Sequence, residues 1–388
     1  MTVAPTATPG GPLRLELAQI NERLPLAVDR AMGESGLWAP ELAARAVRQA
    51  QGDPVEAAQL LRAHRTALPR LAVSHPVHTA ELRVVRRISS AFRSPPGGQV
   101  LGRTLDYVGR LLDLLPEDEG RERAAQAAEA TPHTGEVPAS PAGPAHGHDH
   151  ATPGEAHTHT HPHTDTGDSP APPGPADRTP GHVLAVFREM GIVTAPGEAG
   201  DPDPYDVTRR PVRPGAPRSA WLQTMARADT GSLMHLWYGS DWRPDGHETP
   251  GELRHGALPV RVTHPYTGQA VTAGEVRVSE VQTFHSLPRA GALPTHLDVG
   301  YGLCFGHNER KAISMAGLDL LLAHHEGITD LQYDVLLTLD GLDSTGYLQH
   351  LKLPHSVEYR SVLERARAAR AEARHRAGAD APHPGEPV

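Results

Sequence analysis

The stretch from Pro116 to about Pro180 limits what the rest of this chain can build. It is rich in Ala, Pro, Gly, Thr, Asp and Glu and nearly empty of large apolar side chains. A segment of that kind cannot bury enough surface to offset its chain entropy, so disorder is expected there. A length of 388 residues allows two or three domains, and the tract leaves folding to the blocks on either side. The expected organisation is a disordered N-terminus at 1–12 and a helical N-terminal domain at 13–115. A His-rich linker follows at 116–180, then a mixed α/β domain at 181–360, with an exposed helix and tail at 361–388. The expected fold class is α+β.

The first block is punctuated for helices. Leu17, Ile20, Leu24, Val28 and Met32 recur at spacings of three and four, and Gly33 and Gly36 end the run. A second helix is predicted from Pro40, burying Leu42, Ala46, Val47 and Ala50. Asp53-Pro54-Val55-Glu56 opens a third, with Asp53 as N-cap, Pro54 at the first position and Glu56 as capping-box partner. The basic run at Arg83, Arg86 and Arg87 precedes a Pro-Pro-Gly-Gly turn. That pairing suits either an anion site or a solvated basic face. Leu101–Leu115 returns to helical spacing.

Composition excludes several functions. A net charge of −9 argues against non-specific nucleic-acid binding. Cys304 is the only cysteine, so neither an internal disulfide nor a thiolate zinc cluster can form. No run of 18 apolar residues marks a membrane span, and the chain reads as a soluble cytosolic protein. Within the linker, His146–His150 and His157–His163 alternate histidine with other residues. A flexible tract of that kind chelates metal without fixed geometry, which suits capture and not catalysis.

The second block carries the chemistry. Helices are predicted around Val183–Met190 and Ser219–Arg227, and a polar loop with His247 and Glu248 follows Tyr238. Strands are predicted at Leu258–Val262, Gly274–Phe284 and Gln332–Asp340. Glu280 continues the apolar face of the second of these, so it needs a cation, a donor or a ligand. Val299–Met315 reads as a strand, a turn at Gly306, an N-cap at Asn308 and a helix to about His324. Its free N–H groups and the positive helix end suit an anion, and Arg310 and Lys311 in the first turn add cations there.

In GYLQHLKLPHSVEYR, residues 346–360, His350 and His355 stand with four residues between them. On a straight helix they would diverge by about 140°. Both imidazoles can meet one ion only if the chain bends, and Pro354 supplies a bend. From spacing alone, two histidines in a chain with 25 of them are more often ordinary structural residues than ligands.

Taken in order, these blocks resemble one family, the I subunit (PhnI) of the bacterial carbon–phosphorus lyase core complex. The likeness rests on LAVDR at Leu26–Arg30, GDPVEA at Gly52–Ala57, RRIS at Arg86–Ser89 and PGGQVLG at Pro96–Gly102. It continues with PGEL at Pro250–Leu253, GYGLCFGHNERKA at Gly300–Ala312 and HLKLPH at His350–His355. The family's opening segment, a short strand with a Gly-Gly-Glu turn, has no counterpart before Leu13, and the His-rich tract reads as an insertion.

The resemblance implies displacement of adenine from ATP by an alkylphosphonate, giving a ribose 1-alkylphosphonate 5-triphosphate, with nucleosidase activity when the subunit acts alone. It implies zinc on His350 and His355, facing the radical J subunit. The partners would be subunits G, H, J, K and L, with two copies of this chain in the hetero-oligomer. Chemistry at C1′ needs a carboxylate near an oxocarbenium-like carbon and a proton for the leaving base. Glu252, Glu280 and His247 are the candidates for these roles. Gly306, Arg310 and Lys311, with Arg86 and Arg87, are the candidates for holding the triphosphate. A scaffold role, supplying zinc ligands to a partner's site, is the alternative.

Overall fold

Proline at a first helical turn sets φ where the missing N–H costs nothing, and the chain uses this three times in its first folded segment. A computed structural model describes residues 15–102, 112, 114–130, 182–193, 204–240, 250–285, 296–324, 327, 329–352 and 354–379. In it α1 (Leu17–Arg23) is followed by α2 (Pro25–Ser35), α3 (Pro40–Gln49) and α4 (Pro54–Thr66). Each of the last three begins on proline. The Asp53 side chain accepts the N–H groups of Val55 and Glu56, and α2 stops at Gly36, whose φ of 62° is left-handed. Ala31, Met32, Ala43, Ala44, Val47, Ala57 and Leu61 form the shared core. Small side chains on each helix let the backbones approach closely.

The basic run then becomes β1 (Arg83–Ser89), the first strand of an antiparallel sheet ordered β1-β2-β3-β4. The other strands are β2 (Pro250–Thr263), β3 (Ala270–His285) and β4 (Asp298–Phe305). The first block therefore contributes a strand as well as helices. β2 and β3 are longer than their apolar cores suggested: β2 gains residues 250–257, where Glu252 and Arg254 pair in the ladder, and β3 gains residues 270–273, paired with the end of β2.

The strand–turn–helix reading of the Gly300 block holds, with α9 spanning Glu309–His324. It lies on the sheet face carrying Gly300 and Gly302, where a Cβ would overlap the carbonyl oxygens of Ala316 and Ala312. Gly302→Ala should therefore push α9 off β4 and destabilise the protein by about 1–3 kcal/mol, measurable by chemical unfolding. An unchanged midpoint would contradict this packing. On α9 pack α7 (Arg218–Arg227) and α8 (Thr230–Ser240), and α10 (Asp330–Leu351) packs on those two, closing a core that includes Trp221, Met225, Leu233, Met315, Leu321 and Val335. The short α6 (Val183–Glu189) sets Phe187 edge-on to Phe284.

Three expectations are corrected. Gln332–Asp340 is helix, within α10, and not strand; Val335 and Leu342, two helical turns apart, are both buried there. Glu117–Ala130 is a helix, α5, in a separate unit spanning residues 104–178. Its Ala, Glu and Arg have high intrinsic helix propensity, and three acidic residues open it, so it needs no apolar face. The segment 346–360, whose Leu348, Leu351, Leu353 and Val357 suggest apolar packing, breaks between α10 and α11 (Ser356–Ala379) as the proline requires, but Leu348, Leu351 and Val357 are exposed. The remainder of the linker from residue 131, most of Leu101–Leu115 and His247 lie outside the described residues. No described helix is long and apolar enough to cross a membrane.

Candidate functional site

Antiparallel register decides which charged side chains meet. Arg87 stands opposite Arg254, and Arg254 opposite Glu280, so one sheet face collects two arginines and two glutamates. Arg87 Nε donates to Glu252 at 2.7 Å, and Arg254 Nε donates to Glu280 at 2.9 Å. All four side chains are essentially buried. Burial alone would raise the Glu252 carboxyl, but His182, Arg87 and the Val183 N–H together hold it below the ordinary range. Tyr301 donates to Glu280 at 3.0 Å, and burial followed by that carboxylate pushes its hydroxyl pKa up. Glu252 and Glu280, expected beside the reacting carbon, are thus each committed to a guanidinium inside the sheet. Arg87 also donates to the carbonyls of Pro96 and Gly98, which fixes the Pro-Gly-Gly turn against β1.

The β4–α9 turn has its donors taken from within the chain. Gly306 N–H donates to Arg277 O at 2.8 Å, His307 N–H to Asp29 Oδ2 at 2.9 Å, and Asn308 N–H to Ser279 Oγ at 3.0 Å. Gly306 has a φ of 75°, and a Cβ there would run into Asp29. Asp29 thus already takes the His307 N–H in the turn that leads into α9. Arg86 likewise donates to Glu309 at 2.6 Å, and Glu309 also meets His307 at 3.2 Å. His307 stacks on the buried His255, ring centroids 4.6 Å apart.

The two cations of the first α9 turn separate. Lys311 is wholly buried and donates to Ala228 O at 2.8 Å, and burial brings its pKa down to about 8. Arg310 is exposed and borders a cleft of about 510 Å³ between α8 and α9. Trp237, Tyr238, Met234 and Ile313 give the cleft an apolar, largely aromatic wall, and His235 stands with Arg310 on its edge. The sequence reading missed this cleft. Its one signal was the adjacent Trp-Tyr pair ahead of a polar loop.

Around Pro354 the His350 and His355 rings lie 5.1 Å apart at 79°. Two imidazoles at that separation can share one ion at the usual zinc–nitrogen distance of about 2.0–2.1 Å. His355 Nε2 must first leave the His350 carbonyl, 3.1 Å away, while its Nδ1 lies 3.5 Å from Glu358. The pair thus fits half of a tetrahedral shell. Among the described residues no group of three or more His, Cys, Asp or Glu side chains is arranged to complete one. Cys304 is no ligand candidate, since burial pushes its thiol up to about 12.

The comparisons follow the same blocks. The family model described as bacterial phosphonate metabolism protein (PhnI) matches residues 8–373. The alpha-D-ribose 1-methylphosphonate 5-triphosphate synthase subunit PhnI of Escherichia coli (strain K12) is 36% identical over 369 residues, covering 93% of this chain and 91% of that protein. The Rhizobium meliloti (strain 1021) protein of the same name is 36% identical over 374 residues, covering 92% and 87%. The putative C-P lyase subunit protein HtxH of Stutzerimonas stutzeri is 38% identical over 376 residues, covering 94% of this chain and 88% of that protein. The chain with the paired sheet charges, the pinned β4–α9 turn and the His350–His355 bend belongs to the PhnI family of bacterial phosphonate metabolism proteins, as a subunit of the carbon–phosphorus lyase complex.

Proposed function

We propose that this chain handles the nucleotide in displacement of adenine from ATP by an alkylphosphonate, yielding a ribose 1-alkylphosphonate 5-triphosphate. The observation that carries the reading is the α8–α9 cleft. Its aromatic wall at Trp237 and Tyr238 suits a planar base, and Arg310 at its edge suits a phosphate oxygen. The names of the relatives support the same chemistry. In the reaction the C1′–N bond breaks with its electron pair leaving on the base, and a phosphonate oxygen bonds to C1′. His235 in the cleft lining, or His247 further along the sequence, is the proposed proton donor to the departing base. Glu252 and Glu280, each neutralised by an arginine, hold the sheet beneath. Co-expression with the companion G, H and L subunits, followed by phosphorus NMR of ATP with methylphosphonate, tests the reading. Arg310→Ala should lower kcat/KM for ATP about tenfold or more; an unchanged value would remove the cleft from the reaction.

Zinc on His350 and His355 is proposed as part of the same complex, where it would supply a Lewis-acidic, partly open coordination site facing the J subunit. The exposed Leu348, Leu351 and Val357 beside the pair favour contact with another subunit there. His350→Ala or His355→Ala should reduce zinc measured by mass spectrometry on the purified complex while leaving adenine release intact. Full zinc content in both variants would assign the pair a structural role.

A further inference from the structure

Where α4, α7 and the end of α2 converge, three arginines crowd together. Arg62 and Arg65 come from α4 and Arg227 from the last position of α7. Two of them have evident work. Arg62 donates to the carbonyls of Glu34 and Arg227 and pairs with Asp343 at 3.3 Å, and Arg65 donates to Ser35 O. Those carbonyls belong to the C-terminal ends of α2 and α7, where positive charge is favourable.

Arg227 has no such work. Its side chain makes no hydrogen bond or ion pair among the described residues, and its Nε is buried without a partner. Burial, then the charges of Arg65 and Arg62, bring its pKa down to about 10. Carboxylates do stand nearby, but each is engaged elsewhere. Asp206 is held by Arg70 at 2.6 Å and by Thr208, Asp343 by Arg62, and Glu34 and Asp229 by Arg30.

Arg65 and Arg227 border a cavity of about 270 Å³. A Cβ on Gly36 would stand 2.8 Å from Arg65 Nη1 and 3.0 Å from Arg227 Cγ, so glycine there leaves room for the Arg65 guanidinium and the aliphatic stem of Arg227. Thr208 and Gln223 add polar groups to the lining, and Val278, Leu303 and Phe305 make an apolar wall facing them. A partly buried guanidinium repelled by two others is stabilised by a bound oxyanion, because a charge-assisted bond then offsets the repulsion.

We propose that this cavity binds a tetrahedral phosphorus oxyanion through Arg227 and Arg65, with a small apolar substituent lying against Val278, Leu303 and Phe305. Orthophosphate and a short alkylphosphonate share the head group, and the apolar wall favours the alkylphosphonate. That preference rests on the reading of the chain as a phosphonate-handling subunit; the oxyanion site itself does not.

The test is binding of methylphosphonate and of inorganic phosphate to the full chain, by calorimetry and thermal unfolding, against sodium chloride at matched ionic strength. Saturable stabilisation by either anion beyond that of chloride is expected, with methylphosphonate the tighter. Arg227→Met should weaken binding roughly ten- to a hundredfold. The same change should leave the ligand-free melting temperature unchanged or raised, because a repulsive charge is gone. Exposed Arg83→Gln serves as the control and should bind normally. Equal stabilisation of wild type and Arg227→Met, or no effect beyond chloride, would overturn the site. So would a ligand-free Arg227→Met that unfolds earlier and binds normally. Adenine release by the complex is read separately, so a chain that binds the oxyanion while the complex releases no adenine would contradict the proposed reaction and leave this site standing.

Discussion

Arg254→Met should destabilise the protein by about 3–5 kcal/mol, the largest single effect expected outside the packed core. The substitution keeps most of the side-chain volume but strands Glu280 in a sheet face where water cannot reach it. Glu280 now receives two donors from Arg254 and one from Tyr301, and Arg254 also donates to Thr79 O at 2.9 Å. Removing the cation leaves a carboxylate that must take up a proton to stay buried. The double variant Arg254→Met with Glu280→Gln should recover much of the loss, since no uncompensated charge remains. Urea unfolding of the three proteins reads this directly. If the single variant is as stable as wild type, the pair is solvated and Glu280 becomes available again as a catalytic carboxylate.

Acidification should weaken the fold through His255. Burial, and then the charge of His307, hold its imidazole down at about 4, against an unfolded value of about 6.5. Between those values the unfolded chain binds a proton that the folded chain refuses, so stability rises with pH across the window and falls as pH drops through it. His255→Gln removes the group, and its stability should fall less than wild type between pH 7.5 and 4.5, by about 2–3 kcal/mol. Unfolding midpoints at the two pH values give the difference. Parallel losses in both proteins would mean that His255 titrates normally and the stacked pair is open to water.

These two groups show how far the residues themselves announce the fold. A glutamate continuing the apolar face of a strand declares its need for a partner, but only the strand register reveals that the partner is Arg254, 26 residues earlier in the chain. The same holds for Glu252 and Arg87. The helices α3 and α4 were legible from their opening prolines, whereas the run from Leu17 to Met32, read as one helix, is two because Pro25 opens α2 after α1 ends at Arg23. GYGLCFGHNERKA read correctly as strand, turn and helix. Gln332–Asp340 misled because its Leu, Val and Tyr satisfy strand propensity, while the face that decides the matter is set by Val335 packing under α7 and α8.

The site was less legible than the fold. Arg86, Arg87 and Lys311 were read as phosphate ligands from their charge, and packing turns each of them inward. Arg227 carried no motif at all, and its significance comes from where α7 ends against α4. Trp237 and Tyr238 belong to α8 and gain meaning only when α9 sets Arg310 beside them. His350 and His355 could be paired from their spacing and the intervening proline, and the 5.1 Å ring separation keeps that possibility geometrically sound.

The central claim is that this chain takes part in exchanging adenine for an alkylphosphonate at C1′ of ATP. Free adenine released from ATP, with and without methylphosphonate, should be quantified for the companion subunits alone and for the same subunits with this chain. The account predicts methylphosphonate-dependent release, in step with a ribose 1-methylphosphonate 5-triphosphate product, only when this chain is present. Equal release in its absence would contradict the account and leave the chain a scaffold of the complex.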